Sequence, residues 1–351
     1  MRYLSVMVKP PAIDPSLKPL DIFPFFTGCQ RSGTTLLRVI FNNHPELAIP
    51  GESHFIPEFA ARRRRYTRHG RVLVEPFLRD VMEHERVRRW KLQRDRLKAA
   101  LETPPLPNLP DAIRRVYSTY ALTKNKPRYG DKTPRYATQI SLLAQLFPES
   151  RFVHVTRDGR DVALSLLEMP WGPNHIDRGA LYWRERVLSA RSAGRQLGPE
   201  RYLEYRHEEL IRAPEETVQR ICAFLDLSFD VRMLEYHEKR KPSKTHHMRH
   251  LAKPPTPGLR DWRGQMCPED IRIFELLAGD VLRELGYQTV TDESTLDGTT
   301  EKRLRRRARA LKHRDMIRRS RFLRDASNTL PGRWFITGTS RLLKRADGRL
   351  P

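Results

Sequence analysis

The sequence has few cysteines and no long hydrophobic run. Cys29, Cys222 and Cys267 are an odd set without metal-ligand spacing, which favours a reducing compartment and predicts no metal centre. No stretch approaches the ~18 consecutive apolar residues of a membrane-spanning helix. The amino terminus, interrupted by Pro10 and Pro15, lacks the apolar core of a signal peptide. We therefore expect a cytoplasmic protein.

Acidic residues are also scarce relative to basic ones. The 66 Lys and Arg outnumber the 42 Asp and Glu, giving a net charge of +24 over 351 residues. Residues 301–351 hold 17 of these cations against 4 acidic side chains. We predict that this basic tail is helical over Glu301–Arg324 and is either a solvated or packed appendage, or attaches the protein peripherally to an anionic membrane surface. Nucleic acid is not the partner we expect.

A glycine-bounded loop between a strand and a helix is the most informative segment. Phe25–Gly28 is an apolar strand, and an amphipathic helix follows Gly33. The free backbone amides of such a turn converge on an anion that the helix dipole also favours. Gly28 and Gly33 have Walker A spacing, but Thr34 replaces the lysine and Arg31 carries the positive charge instead. This pattern predicts a phosphate site and argues against ordinary ATP chemistry.

The loop resembles the 5′-phosphosulfate loop of sulfotransferases that use 3′-phosphoadenosine 5′-phosphosulfate (PAPS), particularly the tyrosylprotein sulfotransferase branch and its bacterial relatives. The resemblance covers roughly residues 22–288. It implies an α/β fold, with a P-loop-type parallel sheet flanked by helices and carrying helical inserts, and sulfuryl transfer to a hydroxyl acceptor. The residues it assigns to the 5′-phosphosulfate are Arg31, Ser32, Gly33, Thr34 and Thr35.

A second strand, turn and helix occupy Arg151–Ser165. The apolar run before Arg157 suits a buried strand, and Asp158-Gly159 marks a break before the helix. Arg157 and Ser165 are placed to reach one phosphate from two sides. The resemblance makes that group the 3′-phosphate of the donor. A surface arginine–aspartate network at a strand–helix corner is the alternative.

Two further segments carry the candidate catalytic residues. Glu52 follows the short apolar strand Leu47–Pro50, and by resemblance it is the general base, with a pKa that an apolar pocket would raise. His54 is the competing base. Lys132 lies in a turn-rich stretch that we expect to be a loop, and it would stabilise transferred negative charge together with Arg31.

Late segments depart from the family pattern at two positions. His207 stands where family members often have a tyrosine, directly before Glu208 in a strand–helix segment. Asp261 directly precedes Trp262, where the family has a basic residue. We assign the expected nucleotide contact to Arg260, with Arg263 as the alternative.

We predict a sulfotransferase domain over residues 20–288, a linker over 289–300 and the basic tail over 301–351. The domain would close with the helix Pro268–Leu285, which Gly286 ends. The basic insert 60–125 is the predicted acceptor-binding cap, and its charge favours an anionic acceptor. The acceptor class stays open between protein tyrosine, carbohydrate, lipid and another metabolite.

Two other classes of protein explain part of the sequence pattern. A nucleoside or small-molecule kinase would share the fold, but it should have a lysine after Gly33 and an acidic magnesium site. A nucleic-acid-binding protein would explain the net charge, but not the loop together with Arg157 and Ser165.

Overall fold

The structure is a computed structural model that describes residues 22–238, 251–256, 260–291 and 298–307. A parallel sheet lies at its centre, in the order β6-β1-β7-β8. Its strands are β1 Phe23–Gly28, β6 Asp131–Lys132, β7 Ser150–Thr156 and β8 Tyr202–Arg206. Two small sheets pair β2 Leu47–Ala48 with β5 Arg128–Tyr129, and β3 Thr67–Arg68 with β4 Arg71–Val72.

Helices flank the sheet, which confirms the predicted fold class. Those before β7 are α1 Thr34–Asn42, α2 Phe55–Ala61, α3 Arg63–Tyr66, α4 Val74–Glu83, α5 Glu85–Arg88, α6 Arg94–Glu102, α7 Leu109–Leu122 and α8 Ile140–Leu146, with a 3₁₀ turn at Pro134–Thr138. Those after β7 are α9 Gly159–Leu167, α10 Ile176–Leu197, α11 His207–Arg212, α12 Pro214–Phe224, α13 Trp262–Gln265 and α14 Pro268–Glu284, with a 3₁₀ turn at Val231–Met233.

The central strands are buried on both faces, as their apolar sequences require. Phe25 of β1 lies beside Phe152 of β7 in the ladder, and their rings stack with centroids 5.4 Å apart. Phe26 points to the other face, where it joins Val153 in a second cluster. Because side chains alternate along a strand, β1 and β7 supply both cores and hold the loops that follow them.

The insert 60–125 is part of the main core. Phe77 of α4 and Tyr117 of α7 belong to the same buried cluster as Phe23 and Phe152, and the rings of Tyr117 and Phe23 meet at 5.0 Å. The predicted cap is therefore fixed against the sheet through its helices, and it presents only its outer face and loops to a ligand.

The end of the described chain packs against the core. Backbone amides of Val290 and Thr291 donate to the buried Glu275, and residues 298–307 are helical. Leu304 is only 7% exposed within the cluster around α9, α10 and α14, and Arg307 lies 3.4 Å from the buried Asp177. These contacts hold residues 290–291 and 304–307 against the predicted domain; residues 308–351 of the predicted tail lie outside the described residues.

Within the part of the chain that the structure describes, no helix is both long and apolar enough to cross a membrane.

Candidate active site

Three segments that carry the predicted site residues meet at one edge of the sheet. β1, β6 and β7 run parallel, with Phe26 beside Lys132 and Gly28 beside Val155. Their carboxyl ends therefore lie together, which is where open α/β sheets bind ligands. The Thr27 hydroxyl ties the segments by donating to the Pro134 carbonyl at 3.1 Å.

The loop after β1 has the backbone of an anion site. Arg31 has φ 75° and Gly33 has φ 92°, left-handed conformations that turn neighbouring N–H groups toward one side. Gly33 caps α1 without a side-chain acceptor, and the first turn of α1 has no acidic residue. The amides of the first turn, where Thr34 is buried and Thr35 is partly exposed, are thus left for an anion. Among the described residues, the buried Ser32 hydroxyl has no hydrogen-bond partner.

His207 fills the space behind Gly33. A Cβ added to Gly33 would lie 2.4 Å from the imidazole Nδ1, so only glycine fits there. This Nδ1 is inaccessible to solvent and has no partner among the described residues. Burial, with a smaller contribution from the charge of Arg157, lowers the pKa of His207 to about 3. His207 is therefore a neutral ring that fixes the loop, a role that its departure from the family pattern did not reveal.

Three arginines gather beside the loop. Arg31 Nε donates to Ser165 Oγ at 2.7 Å, so the structure joins the two predicted phosphate segments. Arg157 forms an ion pair with Asp161 at 3.2 Å, and Arg260 forms one with Glu168 at 2.7 Å. Burial lowers the pKa of Arg31, and the charges of Arg260 and Arg157 lower it further. The structure thus brings Arg260 to the site.

Arg263 lies farther from this group. Its guanidinium is over the Trp262 ring at 4.7 Å and 3.6 Å from the Asp261 carboxylate, and its side chain is exposed. The Trp262 amide donates to Asp161 at 2.9 Å, so the late segment is anchored to the same carboxylate that holds Arg157. Of the two arginines predicted for the nucleotide contact, Arg260 is the one that faces Arg31.

The candidate base and the candidate lysine form an ion pair. Lys132 Nζ lies 2.8 Å from Glu52 Oε1, and His54 Nε2 lies 3.0 Å from Glu52 Oε2. Burial alone would raise the pKa of Glu52, but hydrogen bonds from His54 and Lys132 and the lysine charge together hold this pKa well below its usual range. The predicted upward shift is therefore wrong for this state of the site.

Lys132 lies in a strand, contrary to the predicted loop. The two-residue strand β6 pairs with β1 and leaves the lysine 3% exposed. Next to it, Asp131 accepts a hydrogen bond from the Tyr117 hydroxyl at 2.7 Å. This pairing fixes the backbone that presents Lys132, so the ammonium has little freedom of position.

The Glu52 segment is held by hydroxyl groups. The Ser53 amide donates to Thr133 Oγ1 at 3.0 Å, and Ser53 Oγ lies 2.8 Å from the Tyr136 hydroxyl. These bonds lock the residue after Glu52 to the residue after Lys132. Sequence reasoning missed this network, since its partners are 80 residues apart or more.

Arg38 is a further charged residue that the sequence reading overlooked. It lies one helical turn after Thr34 in α1, donates to the Ile49 carbonyl at 3.3 Å, and its charge adds to the burial that lowers the pKa of Lys132. Because residues four apart lie on the same face of a helix, the spacing from Thr34 to Arg38 could have predicted that Arg38 lies on the side of the loop.

Comparisons with known proteins agree with this geometry. The profile of the sulfotransferase family matches residues 24–231. Protein-tyrosine sulfotransferase 2 of Gallus gallus is 27% identical over 222 residues, which are 61% of this chain and 53% of that protein. Nodulation protein NoeE of Sinorhizobium fredii is 26% identical over 303 residues, which are 78% of this chain and 67% of that protein.

A solved structure shares the fold. The sulfotransferase domain of the Synechococcus PCC 7002 olefin synthase has a TM-score of 0.52 at 24% identity, over 74% of this chain and 96% of that one. The chain spans about half of the Gallus gallus protein. Since the family match covers more than half of the chain and includes the loop, Glu52, Lys132 and Arg157, the chain belongs to the sulfotransferase family.

Proposed function

We propose that the chain transfers the sulfuryl group of PAPS to a hydroxyl group of an acceptor. The observation that carries this proposal is the meeting of Arg31, Arg157 and Arg260 at the mouth of an uncapped helix, beside the Glu52–Lys132 pair. Positive charge concentrated at free amides suits a ligand with two phosphate groups. PAPS carries one phosphate on the 3′ oxygen of its ribose and another, bonded to the sulfate, on the 5′ oxygen.

The donor would be held by groups from two loops. Ser32, Gly33, Thr34 and Thr35 would bind the 5′-phosphosulfate through backbone amides and hydroxyls. Arg157, Ser165 and Arg260 would bind the 3′-phosphate, and their two carboxylate partners keep the arginines oriented when no donor is bound. Arg31 already contacts Ser165 and would bridge the two phosphate sites.

Glu52 would accept the proton of the acceptor hydroxyl. The hydroxyl oxygen then attacks sulfur, the bond from sulfur to the bridging oxygen breaks, and the electron pair leaves with the 5′-phosphate of the nucleotide product. Lys132 and Arg31 would neutralise the charge on that oxygen. When Lys132 contacts the donor in place of Glu52, the carboxylate loses a cationic partner, and its pKa rises toward its ordinary value. The ion pair would thus keep the base inactive until donor binds.

Calorimetry with the nucleotide product, 3′-phosphoadenosine 5′-phosphate (PAP), tests the donor assignment. PAP should bind more tightly than ATP and than adenosine 5′-phosphate, by about tenfold or more, because only PAP uses the Arg157 side of the site. Tighter binding of ATP that depends on magnesium would favour the kinase alternative. Equal binding of PAP and adenosine 5′-phosphate would remove the 3′-phosphate assignment.

A further inference from the structure

A hollow of about 370 Å³ opens next to the proposed base. It is bounded by Gly51, the residue before Glu52, and by the loop between α5 and α6 and the end of α7. Four cations line it: Arg89, Lys91, Arg96 and Lys124. No role has been assigned to these residues so far, and they all come from the basic insert.

Three of the four cations of the hollow have no carboxylate partner among the described residues. Within the described residues no Asp or Glu lies within ion-pair distance of Lys91, Arg96 or Lys124, while Arg89 pairs with Glu85 at 3.1 Å. Arg96 lies in the first turn of α6, where the helix dipole disfavours a positive charge. Lys91 has φ 56°, a backbone conformation that is strained for lysine. The helix dipole therefore does not explain the arginine at position 96, and the backbone conformation does not explain the lysine at position 91.

A buried donor lies in the same wall. Trp90 is 5% exposed, and its Nε1 has no hydrogen-bond partner among the described residues. A Cβ on Gly51 would lie 3.7 Å from this nitrogen, so the unused N–H faces the segment that carries Glu52. Tyr120, Thr123 and Gln93 add hydroxyl and amide groups to the lining.

The position and size of the hollow limit its ligand. Its volume is near the lower end for ligand pockets, which suits one or two rings better than an extended peptide. The hollow meets the segment of the base at Gly51, whose Cα lies ~3.8 Å from that of Glu52. A ligand that also offers a hydroxyl to the Glu52 carboxylate must therefore extend out of the hollow past Gly51, as a second ring of the same small molecule would. Unpaired cations call for an anionic substituent on the ring in the hollow, and the polar lining suits further hydroxyls.

We propose that the acceptor is a compact acidic saccharide. Its carboxylate or other anionic group would contact Lys91 and Arg96, while a ring hydroxyl lies at Glu52. The inference rests on the proposed function in one respect, because that hydroxyl is sulfated only if the chain uses PAPS. Binding of the saccharide itself does not depend on that step.

The test compares a disaccharide ending in glucuronic acid with its glucose-ended counterpart, using the full chain. Calorimetry measures binding of each in the presence of PAP, and radiolabelled PAPS measures transfer. The acidic disaccharide should bind about tenfold or more tightly than the neutral one, and added salt should weaken only the acidic complex. Lys91→Asn/Arg96→Gln should remove the difference; asparagine tolerates the left-handed backbone at 91.

A matched control is Arg64→Gln/Arg68→Gln, which removes two exposed charges elsewhere in the insert and should leave both affinities unchanged. Equal binding of the two disaccharides, equal losses in the two double variants, or sulfation only of an acidic tyrosine peptide would overturn the acidic-saccharide site. Hollow-dependent binding without any PAP binding would instead overturn the proposed function and leave this site standing.

Discussion

Glu52 and Lys132 neutralise each other across 2.8 Å, whereas Arg31, on the other side of the loop, contacts a serine hydroxyl and two further arginines lie nearby. The first group is a closed ion pair. The second has three guanidinium groups and two carboxylates, Asp161 and Glu168. The two sides of the site thus hold buried charge in different ways.

The difference separates stability from function. A buried pair destabilises the fold if one partner is removed, because the other charge is left without compensation. A buried cation that already lacks a full partner costs stability in the empty protein, and a bound anion recovers that cost. We expect the Glu52 side to control turnover and folding, and the Arg31 side to control donor binding.

The largest effect should come from the Glu52 side. Glu52→Gln should lower turnover by about two to four orders of magnitude, the usual contribution of a general base, while PAP affinity stays near wild type. Glu46→Gln, an exposed carboxylate on the same segment, is the matched control. Steady-state rates and PAP calorimetry on both variants make the comparison. Near-normal turnover of Glu52→Gln together with an inactive His54→Ala would move the role to His54.

Arg157→Ala should give the next largest effect, on binding. Loss of a charge-assisted contact to the 3′-phosphate should weaken PAP binding by about 1.5–3 kcal/mol and affect adenosine 5′-phosphate far less. Calorimetry with the two nucleotides checks this. If both lose the same amount, Arg157 acts on the loop and not on the 3′-phosphate.

Much of this contrast could be expected from local sequence. The run Phe23–Phe26 is apolar, so it predicts a buried strand, and the glycine and hydroxyl pattern after it predicts an anion site. Arg157 and Ser165 follow a second apolar run, which likewise predicts a buried strand with an anion contact after it. Patterns of this kind are short-range, and the backbone conformation that they specify brings Arg157 close to Arg31.

What failed depended on partners distant in sequence. Lys132 belongs to a strand only because Asp131 and Lys132 pair with β1. Two residues are too few to form a sequence pattern that predicts a strand. The lowered pKa of Glu52 comes from the hydrogen bond of His54, two residues on, and from Lys132, 80 residues away; the contribution of Lys132 could not be read from local sequence. Leu304 marks one side of the predicted basic helix together with Ala308 and Leu311, but this spacing does not say whether that side meets the core around α9, α10 and α14, where Leu304 is buried.

A third prediction compares the folding stabilities of the two sides directly. Glu52→Gln should lower the free energy of unfolding by about 1–2 kcal/mol, because Lys132 stays buried without its carboxylate; the figure is below that of a fully buried pair, since Glu52 is partly exposed. Arg31→Gln should leave stability unchanged or raise it by about 0.5 kcal/mol while it weakens PAP binding. Urea unfolding without ligand measures both. If Arg31→Gln lowers the free energy of unfolding more than Glu52→Gln does, the Arg31 side and not the Glu52 side controls folding stability.

The smallest expected effect is that of the Arg157 charge on the protonation of His207, which is measured through the pH dependence of stability. Burial first, and then the charge of Arg157, lowers the pKa of His207 to about 3, against ~6.5 in an unfolded chain. The unfolded state therefore binds the proton first. The contribution of His207 to the free energy of unfolding is fully present above pH 6.5, and it is lost as the pH drops from 6.5 toward 3. His84, with a pKa lowered to about 4 by burial and by the charges of His54 and Arg86, adds a change of the same sign.

Urea midpoints at pH 7.5 and pH 5 distinguish the two histidines. His207→Gln and His84→Gln should each lose less stability on acidification than the wild type. A further midpoint at pH 3.5, close to the pKa of the folded His207 imidazole, tests the arginine. There Arg157→Ala should reduce the part due to His207 alone, because removing that positive charge lets the buried imidazole accept a proton more easily, whereas Arg157 is not among the charges that act on His84. Combining Arg157→Ala with each histidine variant isolates this coupling. An acid response of Arg157→Ala equal to that of the wild type would show that burial alone sets the pKa of His207, and that the positive field of the arginine side does not extend behind Gly33.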